Sequence, residues 1–186
     1  MKLSIVIPVY NEVRTIRDVV AQVCDAKIEM EKELVIVDDG STDGTRAVIE
    51  SIKHEHPEWK YVFHETNMGK GYALKSGFQR VSGDMVLIQD ADLEYDVGEY
   101  HVLVEPILAG HADVVYGSRF LGGGPHRVIF FWHYIGNHFL TMFSNMMTNL
   151  NLTDVEVCYK VFRKKCLIPL RFKSTVSVLK SRSRLR

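Results

Sequence analysis

Asp90 and Asp92 stand either side of one alanine, directly after the apolar run Met85-Val86-Leu87-Ile88-Gln89. Two carboxylates at that spacing at a strand end can share a hard divalent cation, and a cation so held clamps a diphosphate. Oxygen ligands of this kind suit Mg²⁺ or Mn²⁺. Glu94, Asp96 and Glu99 extend the cluster to five carboxyls, which repel one another unless a cation intervenes. An acidic turn opening a helix explains the same residues without a ligand, because Asp and Glu are favoured at a helix N-terminus.

Three further segments carry polar chemistry. In Asp38-Asp39-Gly40-Ser41-Thr42-Asp43-Gly44 the glycines and hydroxyls describe a tight strand-to-helix turn. A turn does not require two adjacent acids at the end of an apolar strand, where a carboxylate can accept from a base N–H or a ribose hydroxyl. Asn67-Met68-Gly69-Lys70-Gly71 lacks the spacing of a Walker loop. It reads either as a glycine-rich turn before a helix or as backbone approaching a nucleotide, with Lys70 near phosphate. Gly117-Ser118-Arg119 brings a guanidinium after another apolar run, and Arg127 follows the glycine-rich segment Gly122-Gly123-Gly124-Pro125-His126. Beside an acid-bound cation such arginines clamp phosphate; elsewhere they are surface residues. Cys158 has no identifiable partner histidine and reads as a buried thiol, not a nucleophile.

The elements that must position these residues are legible as apolar runs at 3–9, 34–37, 61–64, 85–89 and 113–116. Most are continuous rather than alternating, which predicts strands covered on both faces. Helical spacing lies between them. After Asn11, expected as an N-cap, come Val13, Ile16, Val19, Val20 and Val23. Val48 and Ile52 follow Ser41 and Thr42, and Leu74, Gly77, Phe78 and Val81 follow Gly69. Strand alternating with helix predicts a doubly wound α/β domain with a mostly parallel sheet. The polar segments then converge at the carboxyl ends of the strands, the edge where open α/β sheets bind ligands.

Composition narrows the class. At 186 residues the chain suits one domain, and its formal net charge of zero gives no reason to expect nucleic acid as a partner. Cys24, Cys158 and Cys166 lack a pairing pattern and are expected to be reduced, in a cytoplasmic setting. No stretch reaches the ~20 apolar residues of a membrane span. The most apolar region, 128–150, is broken by His133, Asn137, His138, Asn145 and Asn149.

Taken in order, Ile7-Pro8-Val9-Tyr10-Asn11-Glu12, Val37-Asp38-Asp39-Gly40-Ser41, Asn67-Met68-Gly69-Lys70-Gly71, Asp90-Ala91-Asp92, Gly117-Ser118-Arg119 and Thr153-Asp154…Cys158-Tyr159-Lys160-Val161-Phe162-Arg163 resemble glycosyltransferase family 2. The likeness is to its polyprenyl- (dolichyl-) phosphate mannosyl- and glucosyltransferase branch, over residues 1–175. The resemblance implies the GT-A fold and an inverting transfer of a hexose from GDP-mannose or UDP-glucose to a polyprenyl phosphate. It places Pro8, Val9, Tyr10, Glu12 and Asp39 at the nucleoside, with Asp39 reading the base, and Gly69 and Lys70 at the nucleotide. Asp90 falls near ribose and diphosphate, and Asp92 with Glu94 at the metal. Arg119, Arg127 and Lys160 meet phosphate of donor or acceptor, and Asp154 with Lys160 borders the sugar; Asp90, Asp92, Arg119 and Asp154 form the catalytic set. Region 128–150 matches a part that lies near the membrane surface, so association with the inner face would be peripheral; an ordinary amphipathic core helix is the other reading. A saccharide or protein acceptor, or an inactive shortened fragment that binds nucleotide alone, are the other functional readings.

Every charged residue from Arg163 to Arg186 is Lys or Arg, and residues 176–186 lose acids and helical period together. Those eleven residues admit codons that, with one cytidine restored ahead of them, read RFGFEVEITAK, similar to the family at that point. The expectation is one domain over 1–175, C-terminally truncated, followed by a frame-shifted basic tail. A solvated tail that binds anionic lipid is the alternative.

Overall fold

The computed structural model describes residues 1–118 and 130–167. Arg119, Arg127, the glycine-rich segment around them and the basic tail lie outside the described residues.

Among the described residues six strands form one sheet: β1 (Lys2–Val9), β2 (Glu31–Asp38), β3 (Lys60–Phe63), β4 (Met85–Ile88), β5 (Val114–Tyr116) and β6 (Lys160–Arg163). Their order is β3-β2-β1-β4-β6-β5. β1 pairs in parallel with both β2 and β4, and β2 with β3. β6 runs antiparallel between β4 and β5. β6 departs from the five expected strands. Its four residues, Lys-Val-Phe-Arg, are too short and too charged at the ends to register as an apolar run.

The helices are α1 (Ile16–Asp25), α2 (Thr45–Glu55), α3 (Lys70–Phe78), α4 (Tyr100–Leu108), α5 (Phe131–Thr148) and the short α6 (Lys164–Leu167). Strand alternation sorts the core into two layers. Leu3, Ile5, Ile7, Leu34, Ile36, Met85 and Leu87 face Ile16, Val19, Val23, Ile49, Ile52, Tyr100, Leu103 and Ile107 of α1, α2 and α4. Val6, Val35, Val37 and Val86 face the other way, towards Ala73 of α3 and Leu167 of α6. Burial on both faces is why β1, β2 and β4 read as unbroken apolar runs. α3 lies close to the sheet because Gly77 has no side chain: a Cβ there would sit 2.5 Å from Val6 Cγ1 and 3.3 Å from Val37 Cγ2.

Asn11 is not the cap of α1. Its backbone is left-handed, with φ of 56°, and α1 begins only at Ile16, after Thr15. The Asn11 side chain instead accepts from the Thr42 amide at 2.8 Å, while its own amide donates to Ser41 Oγ at 3.0 Å. Asn11 thus ties the turn after β1 to the turn after β2, which places both at one edge of the sheet.

α5 is built inside out. Its buried residues are Asn137, Thr141 and Ser144, while Trp132, Phe139, Phe143 and Met146 stand exposed. No described helix is long and apolar enough to cross a membrane.

Candidate active site

The sheet reverses its order of connection at β1, which has β2 on one side and β4 on the other. Side chains past the ends of such strands face a crevice that no helix fills. A cleft of about 280 Å³ opens there, lined by Pro8, Val9, Tyr10, Glu12, Asp39, Asn67, Lys70, Ala73, Asp90, Ala91 and Asp92. Eight of the residues expected at a nucleotide and metal site from sequence therefore come together, and Gly69 adjoins them at the start of α3.

The turn after β2 divides its two acids. Asp38 is buried and structural: Oδ1 accepts from the Ser41 amide at 3.1 Å, and Oδ2 from Arg46 Nε at 2.7 Å. Asp39 faces the cleft yet is well occupied. It accepts from the Met68 amide at 3.1 and 3.2 Å and from the Gly69 amide at 2.7 Å, and meets His64 Nδ1 at 2.6 Å. His64 Nε2 lies in turn 2.9 Å from Ser76 Oγ on α3. Asp39 thereby holds the loop that delivers Lys70. Gly40 lets this loop close: with φ of 74°, a Cβ would lie 2.5 Å from the Thr66 carbonyl carbon.

At the end of β4 the two acids differ. Asp90 is nearly buried and pairs with Lys70 Nζ at 2.6 Å. Burial opposes the Lys70 charge, but the hydrogen bond and charge of Asp90 outweigh it and raise its pKa. Asp92 is exposed, and its Oδ1 accepts from the Glu94 amide at 3.1 Å. Desolvation, followed by the charges of Asp90 and Glu94, raises the Asp92 pKa. Negative charge is thus concentrated where an ion could relieve it. Among the described residues no group of three or more His, Cys, Asp or Glu side chains converges to hold an ion unaided. One or two carboxylates completed by substrate phosphate is the usual protein share of a Mg²⁺ site, and exposed Asp92, with Glu94 two residues on, fits it.

Of the other expected residues that are described, Glu94, Asp154 and Lys160 do not line this cleft. Asp154 is 1% exposed and accepts from Asn137 Nδ2 at 3.0 Å and from the Glu156 amide at 3.2 Å. Lys160 opens β6 opposite Ile88, so antiparallel pairing carries it to the same edge. Its ammonium lies 5.2 Å from the Tyr116 ring centroid. Desolvation, together with the Lys70 charge, lowers its pKa. Cys158 Sγ lies 3.5 Å from Lys70 Nζ. Burial, followed by the Asp90 carboxylate, pushes the thiol up against the lowering charge of Lys70, the opposite of the shift that activates a cysteine.

Sequence reasoning missed Gln89, His64, Tyr100 and Tyr159. Gln89 carried a weak signal, a buried amide closing an otherwise apolar strand. The others meet the site only through contacts distant in the chain.

A family model described as glycosyl transferase family 2 matches residues 4–170. A dolichol-phosphate mannosyltransferase of Pyrococcus furiosus is 32% identical over 124 residues, 67% of this chain and 35% of that protein. A dolichyl-phosphate beta-glucosyltransferase of Trichomonas vaginalis is 30% identical over 177 residues, 88% of this chain and 54% of the relative. The chain therefore spans only a third to a half of the length of these relatives. Among solved structures, glucosyl-3-phosphoglycerate synthase from Mycobacterium tuberculosis, in complex with Mn²⁺, uridine diphosphate and glucosyl-3-phosphoglycerate, superimposes with a TM-score of 0.63 at 23% identity. That match covers 89% of this chain and 58% of the other. The shared architecture is the GT-A fold that the motifs imply.

Proposed function

This chain belongs to glycosyl transferase family 2, and on that premise we propose that it transfers a hexose, with inversion, from a nucleoside-diphosphate sugar to a polyprenyl phosphate. The carrying observation is the meeting of Asp90, Asp92 and Lys70 in one cleft at the switch point of the sheet. A nucleoside diphosphate is a polyanion, yet the cleft lines up Glu12, Asp39, Asp90 and Asp92 against the ammonium of Lys70. Donor and cleft are compatible once a divalent cation stands between them. Asp92, with Glu94 beside it, would hold Mg²⁺ or Mn²⁺. When bound, the ion supplies Lewis-acid stabilisation of the departing diphosphate.

Pro8, Val9, Tyr10 and Glu12 would receive the nucleoside. Asp39, fixed by its loop, would face the base. Lys70, released from Asp90, would meet phosphate. Arg119, Arg127 and Lys160 would bind the acceptor phosphate, and Asp154 would border the sugar. An acceptor phosphate oxygen forms the new bond to the anomeric carbon as the bond to the nucleoside diphosphate breaks. The electron pair leaves on the β-phosphate oxygen. The acceptor arrives already anionic, so no strong general base is required. The names of the two relatives, both dolichyl-phosphate glycosyltransferases, support this acceptor class. The outward apolar side of α5 supports a peripheral seat on the membrane that carries it.

The test is to supply GDP-mannose or UDP-glucose with Mn²⁺ and a short polyprenyl phosphate, and to follow lipid-linked hexose by mass spectrometry. A polyprenyl-phosphate hexose product is expected from one donor. Donor turnover onto a saccharide or protein with none onto the lipid would overturn the acceptor assignment, and nucleotide binding without turnover would leave a binding fragment.

A further inference from the structure

β4 is apolar throughout, from Met85 to Ile88, and is followed directly by Gln89, which is 1% exposed. Burying an amide is unfavourable unless its hydrogen bonds are made, and here three are made. Gln89 Nε2 donates to the Asp90 carbonyl at 2.9 Å. Gln89 Oε1 accepts from Tyr100 Oη at 2.6 Å and from Tyr159 Oη at 3.0 Å, filling both lone pairs. A carbonyl can only accept, so the Asp90 carbonyl fixes which end of the amide carries nitrogen. Both tyrosines are buried, and burial pushes both phenols up, leaving them as donors. The Gln89 amide N–H bonds the Val6 carbonyl at 3.0 Å, which anchors its backbone to β1.

The partners lead to the acid side of the cleft and to the elements beside it. The Asp90 carbonyl belongs to the peptide plane between Asp90 and Ala91, the hinge from which Asp90 and Asp92 both project. Tyr159 directly precedes Lys160 and accepts from the Gly117 amide at 2.9 Å through its carbonyl. The Tyr95 ring, three residues past Asp92, packs 4.6 Å from the Tyr159 ring, and Tyr95 Oη accepts from the Cys158 amide at 3.2 Å. Tyr100 opens α4.

We propose that Gln89 is a positioning residue: its amide fixes the Asp90–Ala91 peptide, and its carbonyl, through Tyr100 and Tyr159, locks the acid pair to α4 and to the strand that carries Lys160. The functional part rests on the reading of the cleft as a metal and nucleotide site. The structural part does not. Outer partners of a metal site are worth about 10–100-fold in affinity, and that is the scale expected.

Three variants separate the roles. Gln89→Met removes donor and acceptor at similar volume. Gln89→Glu, held as the neutral acid by burial beside Asp90, keeps the acceptor for the two hydroxyls and puts an O–H in place of the N–H to the Asp90 carbonyl. Tyr159→Phe cuts the link to Lys160 alone. Two measurements are made: hydrogen exchange of the amides of residues 90–94 without ligand, and the calorimetric Kd for UDP or GDP with and without Mn²⁺. In Gln89→Met the exchange of residues 90–94 should quicken about tenfold relative to β1, and the Mn²⁺-dependent Kd should rise about 10–100-fold. Gln89→Glu should bring both readings back towards the parent values, a rescue that filling the same volume, already done in Gln89→Met, would not produce. Unchanged local exchange in folded Gln89→Met overturns the proposal. Unchanged Kd in folded Gln89→Met, with the parent binding, overturns its functional part. A parent protein that shows no Mn²⁺-dependent nucleotide binding sinks the transferase reading instead, and hydrogen exchange still judges the network. If Gln89→Met fails to fold, Tyr159→Phe carries both measurements, and the same unchanged readings in it overturn the link through Tyr159.

Discussion

Asn137, on the inward side of α5, donates its side-chain amide to Asp154 Oδ1 at 3.0 Å. Thr141, one turn further, donates to Asn137 Oδ1 at 3.0 Å and accepts from the Val155 amide at 3.2 Å. Asn145 continues the line, bonding both the Leu152 carbonyl and the Leu152 amide. A helix whose large apolar side chains face outward is therefore attached to the segment bearing Asp154 by polar contacts.

Asn137→Leu should lower unfolding stability by about 1–3 kcal/mol, because it leaves a buried carboxylate short of a donor. Asn137→Ser restores a smaller polar group and should recover part of the loss. Urea denaturation of the two variants beside the parent protein checks this. An Asn137→Leu midpoint equal to that of the parent would show that the bond contributes nothing.

Asp92→Asn should abolish Mn²⁺-dependent nucleotide binding while the fold survives. Asp92 is exposed, and its one assigned bond, from the Glu94 amide to Oδ1, can be kept by an asparagine oxygen. Calorimetry with and without Mn²⁺ reads the binding, and the melting temperature reads the fold. Retained Mn²⁺-dependent affinity removes Asp92 from the metal site.

Much of this was legible because burial on both faces leaves a one-dimensional trace. β1, β2 and β4 are continuous apolar runs, and the polar residues that end them mark the cleft edge without any knowledge of pairing. β6 left no such trace, since only Val161 of its four residues is fully buried and its partners come from distant parts of the chain. Asn11 misled because its residue type suits an N-cap, whereas its left-handed φ and its bond to Thr42 are set by the neighbouring turn. Gln89 and Tyr159 are 70 residues apart, and no periodicity links them. Asp39 is marked as a cleft residue by sequence, but its bonds to Met68, Gly69 and His64 join segments 25 to 30 residues apart and leave no trace in it.

Acid should loosen the opposite edge of the sheet through Glu33. Its side chain is 8% exposed. Burial alone would raise its pKa, yet hydrogen bonds from Ser4, Ser82 and Lys60 outweigh burial and hold it well below the usual range. A depressed folded-state pKa stabilises above the unfolded value, about 4.3 for glutamate. That contribution is lost as pH falls below it towards the folded value. Glu33→Gln should therefore flatten the stability profile below about pH 5 and lower the plateau at neutral pH by about 1–3 kcal/mol. Urea midpoints between pH 3 and 7 decide; parallel profiles for the two proteins would assign the acid sensitivity elsewhere.

The outward side of α5 should seat the protein on lipid. Trp132 is 78% exposed and Met146 74%, with Phe139, Phe143 and Met147 between and beside them. Exposed aromatic and methionine side chains on a helix free of Asp, Glu, Lys and Arg suit the boundary between headgroups and acyl chains. Burying each large side chain contributes about 1.5–3 kcal/mol, so two charges placed on that side should expel the helix. Phe139→Glu with Met146→Glu should reduce pelleting with phosphatidylglycerol vesicles by at least about tenfold, and the loss should persist at high salt, where surface charge is screened. Solution turnover of a short, water-soluble polyprenyl phosphate should change little, because neither residue lines the cleft. Equal pelleting of the double variant and the parent protein would show that this side of α5 does not meet the membrane.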